Sequence, residues 1–210
     1  MSDFNEQWVQ TDTKREAVSA LEMVYEQLDH VQNDPHRWKW VILALHNAVQ
    51  NFMILALRGT NNLNVMRESD AEAWLDAYNN NQQLLPSGKL LDFLDLYKKI
   101  KGDTMEIGLN SRRYVPKGQE GRSIKQLNRL RNAFIHYMPK IWLIELPGLP
   151  GIGLDCVRVI DFLVNDSQNI LLEEEDRQEL QQLLCDIENS LTLLSERYKQ
   201  GIQDSTTPAA

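Results

Sequence analysis

A chain of 210 residues, 42% apolar and 25% charged, can bury one substantial core and is too short for two ordinary domains. That composition fits neither a disordered chain nor a fibrous repeat. A formal net charge of −8 argues against a protein that coats nucleic acid through overall basicity.

The first ten residues carry acids and amides in place of a basic start with an apolar core, so no signal peptide is expected and the protein is read as cytoplasmic. Ala17, Leu21, Val24, Leu28 and Val31 repeat at spacings of four and three, which predicts a first helix from about Thr13 to Gln32. Asp34 and Pro35 supply an N-cap and a first-turn proline for a long second helix ending at Gly59. Its stretch from Trp40 to Leu57 is the most apolar of the chain, yet His46, Asn47, Gln50 and Asn51 interrupt it. This predicts a buried helix, not a membrane span.

Ser69 and Glu72 match a capping box that opens a short third helix. Leu90, Leu91, Phe93, Leu94, Leu96 and Tyr97 predict a buried fourth helix from Lys89 to Lys101, closed by Gly102. The segment from Gly102 to Gly121 holds five glycines and prolines and reads as a long loop, a type often functional or mobile. A fifth helix, about Arg122 to Tyr137, stops before Pro139 and places His136 in its last turn. Ile141 to Leu146 reads as a short extended piece, and 147–151, with two prolines and two glycines, as a turn. Two further helices, about Asp155 to Val164 and Leu172 to Lys199, close a single all-α domain at 1–200, a bundle of six or seven helices. Residues 201–210 are expected to form a disordered tail.

Several groups carry no obvious chemistry. Cys156 and Cys185 sit in apolar helical surroundings without metal or redox spacing and read as core thiols. His30 and His36 have no ligand partner in register, so no metal site is expected, and no cofactor is implied. His46 reads as a hydrogen-bonded core histidine, and Asn47 beside it carries no separate signal. The five tryptophans lie on different elements, mostly as core residues, and form no base-stacking platform. No phosphate-loop, nucleophile-elbow, zinc-peptidase or dinucleotide pattern occurs.

Charge is unevenly distributed. From Ser111 to Arg131 seven basic residues, Arg112, Arg113, Lys117, Arg122, Lys125, Arg129 and Arg131, face one acid, Glu120. This local excess of six positive charges leaves −14 for the rest. On a helical wheel Lys125, Arg129, Asn132 and His136 share a polar stripe roughly 60° wide. Arg131 points instead among Leu127, Leu130, Phe134 and Met138, where a guanidinium needs a partner. A carboxylate of the acidic last helix is one candidate.

Arg131, Asn132 and His136 form R-N-x-x-x-H, which resembles the R-x4-6-H motif of the HEPN superfamily. There the motif also lies on a late helix of an all-α bundle. The likeness runs from about Thr13 to Leu194, with the long helix around Leu45-His46-Asn47-Ala48-Val49 similar to an earlier core helix of the family. It implies an up-down bundle, a homodimer whose two motifs face each other, and a metal-independent endoribonuclease of toxin or defence type held by a cognate regulatory protein. Other members are non-catalytic modules that bind nucleotides or proteins.

The residue types suit RNA cleavage by the 2′-hydroxyl: a histidine exchanges protons near neutral pH, and an arginine stays charged against phosphate oxygens. Asn132 would orient the imidazole or bind phosphate or base. Arg112, Arg113, Lys117, Arg122, Lys125 and Arg129 would flank an RNA groove. On an ideal helix Arg131 and His136 are about 140° apart. The site therefore needs a loosened helix end, a bent arginine or a second subunit. An unrelated helical interaction protein is the remaining alternative.

Overall fold

The computed structural model describes residues 8–137, 139 and 141–206. Among these, seven α-helices and no strand are found, apart from an isolated antiparallel bridge between Met66 and Leu90. The predicted all-helical bundle is therefore present.

Helix α1, Thr13–Val31, starts where the Asp12 side chain accepts from the Arg15 N–H at 2.9 Å. All five residues of its predicted apolar stripe are buried. Asp34 and Pro35 open a single 3-10 turn, Pro35–Arg37, from which α2, Trp38–Leu57, continues. Gly59 ends this run in the left-handed conformation, φ +56°, where a side chain would be strained. Helix α2 lies at the centre of the bundle, packed against α1, α4, α5 and α6. By length and composition 35–57 would pass for a membrane span despite its amides. Two thirds of that window is buried inside the protein, as befits a core helix.

Helix α3, Glu68–Asn79, is peripheral and buries only Ala77. Its N-cap is Arg67, without a side-chain cap, so the Ser69–Glu72 capping box does not form. The helix begins one residue before the serine that should have capped it. Helix α4 is confined to Phe93–Lys99. Leu90 and Leu91, expected within it, instead run extended, with the Leu91 N–H donating to the Val65 carbonyl at 2.8 Å. Leu94 stays exposed while Phe93, Leu96 and Tyr97 are buried, so this helix is buried on one face only.

The long loop after Gly102 is anchored. Its residues Met105 and Tyr114 are buried, and Asn169 staples it to the rest of the molecule. The Asn169 amide donates to the carbonyls of Ala56 (3.0 Å) and Met105 (2.7 Å), while the Ser111 hydroxyl donates to its oxygen at 2.6 Å.

Helix α5 spans Glu120–Ile135. After it, 141–146 is extended but unpaired: Trp142, Ile144 and Leu146 pack on the core while Ile141 and Leu143 face out. The expected turn at 147–151 gives way early to helix α6, Leu149–Asp161. Pro150 falls in the first turn, where its missing N–H costs nothing. A π-turn, Phe162–Asp166, extends α6. Helix α7, Glu174–Thr206, continues past Gly201, at which a disordered tail was expected; 207–210 lie outside the described residues.

Two further expectations change. Cys156 is buried, whereas Cys185 is exposed on α7. Of the tryptophans only Trp38 is fully buried, its indole N–H donating to the Tyr198 hydroxyl at 2.9 Å. Trp8 and Trp40 are exposed, and Trp74 and Trp142 are partly buried.

Candidate functional site

The carboxyl half of α5 carries the motif. Ile124, Leu127 and Leu130 bury one face of the helix. Glu120, itself buried, accepts from the Gly118 N–H at 2.7 Å and ties down the helix start. The opposite face, Lys125, Arg129, Asn132 and His136, is exposed as the wheel predicts. His136 is not in the last turn but is the C-cap, with φ −99° and ψ 51°, its N–H still donating to the Asn132 carbonyl at 2.9 Å.

Two cavities flank this helix end. On one side, a cleft of about 490 Å³ lies between α5 and the segment leading into α6, with Gln126, Arg129, His136, Tyr137 and Trp142 in its wall. It adjoins a shallower cleft containing Arg122, Ser123, Asp155 and Arg158; Gln126, Gly148 and Ile152 line both. Arg122, Arg129 and His136 thus follow one edge of α5 along a continuous groove. Fourteen helical residues advance about 21 Å. The groove gains Arg158, which bonds Asp155 at 2.6 Å.

On the other side of α5, Arg131, Asn132 and Asn128 line a cavity of about 620 Å³ together with His46, Phe93 and the carboxylates of Asp92 and Asp95. Arg131 is half-buried and donates to the Asn132 amide oxygen at 2.9 Å. Among the described residues no carboxylate lies within 4.0 Å of it. The acidic last helix does not neutralise it. Arg131 and His136 therefore line different cavities, and one chain does not bring them together.

His46 is the feature that sequence reading undervalued. It is a buried core histidine, 4% exposed, as expected. It also forms the floor of the Arg131 cavity, with Nε2 at 3.1 Å from the Asn128 amide oxygen and its ring stacked on Phe93 at 3.9 Å. Burial pushes its pKa from 6.5 down to about 4; the Asn128 bond opposes this shift and the Arg131 charge adds to it. The imidazole is neutral at pH 7, and the Asn128 oxygen is the acceptor for its Nε2–H. Asn47, its neighbour, is exposed and its amide oxygen accepts from Asn51 at 3.1 Å.

Comparison with protein families, with curated proteins and with solved structures finds no match.

The remaining basic residues divide. Arg113 is taken up by Asp103 at 2.9 Å and Glu106 at 3.6 Å. Arg112 and Lys117 are exposed on the loop before α5, lining neither cavity. Lys125 is exposed on α5. Among the described residues, no group of three or more His, Cys, Asp or Glu side chains is placed to hold a metal ion. Asn128 and Arg158 were not singled out from sequence. Asn128 had a detectable signal, since it lies three and four residues before Arg131 and Asn132 and so shares their flank.

Proposed function

We propose that this chain is a HEPN-like helical protein that binds RNA along the α5–α6 groove and, as a dimer, cleaves it without a metal. One observation carries the reading: an exposed imidazole at the end of α5 continues an edge already set with Arg122 and Arg129. Such an edge attracts a phosphate backbone despite the acidic total charge, because screening confines each interaction to about 10 Å.

In this reaction His136 takes the proton from a ribose 2′-hydroxyl. The 2′-oxygen attacks the adjacent phosphorus, the P–O5′ bond breaks and the 5′-oxygen takes a proton from water, giving a 2′,3′-cyclic phosphate and a free 5′-hydroxyl, and the imidazolium then returns its proton to the solvent. Arg131 stabilises the additional negative charge on the phosphorane. Because the two side chains stand on opposite flanks of α5, the guanidinium of one copy has to meet the imidazole of another. A separate regulatory protein would then act by covering the same helix end.

The test is cleavage of single-stranded and structured RNA in the presence of a chelator, by the wild type, His136→Ala and Arg131→Ala. Both variants should be inactive alone. Mixed and allowed to exchange subunits, they should recover about a quarter of wild-type activity, since half the dimers are mixed and each mixed dimer holds one intact composite site. Inactivity of the wild type on all RNAs, or a strict monomer in solution, would defeat the proposal.

A second reading is a non-catalytic module of the same fold that binds a nucleotide. The separation of Arg131 and His136 into two cavities favours it. Saturable RNA binding without cleavage is its signature.

A further inference from the structure

The Arg131 cavity has walls of opposite character. On the α5 side stand a guanidinium and two carboxamides. The Asn128 oxygen faces His46 and the Asn132 oxygen accepts from Arg131, so both amides have their NH₂ groups left to donate. Because His46 is neutral and pinned against Phe93, it fixes Asn128 in that orientation. From the start of α4, Asp92 and Asp95 line the same cavity. Asp92 is the N-cap of α4 but makes no side-chain capping hydrogen bond, and its ion pair with Arg67 is long at 3.7 Å. Among the described residues no carboxylate lies within 4.0 Å of Arg131, so the cavity holds donors and acceptors that do not pair with each other.

We propose that this cavity receives a guanine base whose 3′-phosphate rests on Arg131. Guanine presents acceptors, O6 and N7, beside donors, N1–H and the N2 amino group. The acceptors match the Asn128 and Asn132 amides, and the donors match the aspartates. Adenine lacks the N1–H and turns its N1 acceptor toward those carboxylates, so that two acceptors meet and the carboxylate contact is lost. Bases splayed from a single strand are commonly read through these same edges. The inference rests on the ribonuclease reading only for its use, which would be cleavage after guanosine.

The experiment is a titration of the full chain with guanosine 3′-monophosphate, and with the adenosine, inosine, cytidine and uridine 3′-monophosphates, followed by calorimetry and by chemical-shift changes. Guanosine 3′-monophosphate should bind at least about tenfold more tightly than the adenosine compound, and inosine, which lacks the N2 amino group, should fall between. The Asp92→Asn/Asp95→Asn double variant should lose that preference, and Asn132→Ala, an exposed change that leaves the core intact, should weaken binding. Equal affinity for all bases, no saturable binding, or unchanged guanine preference in the folded double variant would overturn the pocket. Guanine-selective binding without RNA cleavage would keep the pocket and sink the ribonuclease.

Discussion

Replacing His46 with glutamine should remove an acid sensitivity built into the core. The folded protein holds this imidazole neutral, with its pKa at about 4 instead of 6.5. Between those values the unfolded chain binds a proton that the folded chain does not, so stability must fall as pH drops. The loss begins as pH passes below 6.5, is complete near 4, and amounts to about 3 kcal/mol. That is a large share of the stability of a domain of this kind. Glutamine retains a donor for Asn128 but does not titrate. Urea unfolding of wild type and His46→Gln at pH 7, 6, 5 and 4 measures the difference, and the wild type should lose about 3 kcal/mol relative to the variant across that range. A difference that stays flat with pH would refute the assignment of a buried neutral imidazole.

Other consequences are more local. His136→Ala should change stability by less than about 0.5 kcal/mol, since the side chain is exposed, so any activity lost in that variant is chemical and not structural; thermal unfolding checks it. Asn169→Ala should cost about 2–3 kcal/mol, because it removes three hydrogen bonds at once, those to the Ala56 and Met105 carbonyls and from the Ser111 hydroxyl. Denaturant midpoints measure this, and faster amide exchange around Met105 should accompany it. With an aromatic disulfide reagent one thiol per native chain should react, the exposed Cys185. Burial raises the pKa of Cys156 and closes access to it, so the second should appear only on unfolding.

Much of this architecture is legible in the sequence. The stripe of α1, the proline-opened start of α2 and the polar face of α5 follow from periods and caps that act within a few residues of chain. The errors lie where neighbours overrule local preference. Ser69 matched a capping pattern, but Met66 is held in a bridge to Leu90 and the helix starts at Glu68, so Arg67 takes the cap position. Gly148 and Pro150 looked like a turn because their helix, α6, draws its stability from packing on α5 and α7, which propensity does not report.

Sequence alone determined that the chain is a helical bundle, that positive charge gathers before and along one helix, and that a histidine ends that helix beside an arginine and an asparagine. Each of these is a property of residues close together in the chain. Only the tertiary structure decided which groups share a cavity. It put Arg131 with His46, 85 positions away in sequence, and His136 with the approach to α6. That outcome depends on how α2, α4 and α6 pack around α5, and burial by those neighbours is what keeps the first imidazole neutral while leaving the second open to solvent.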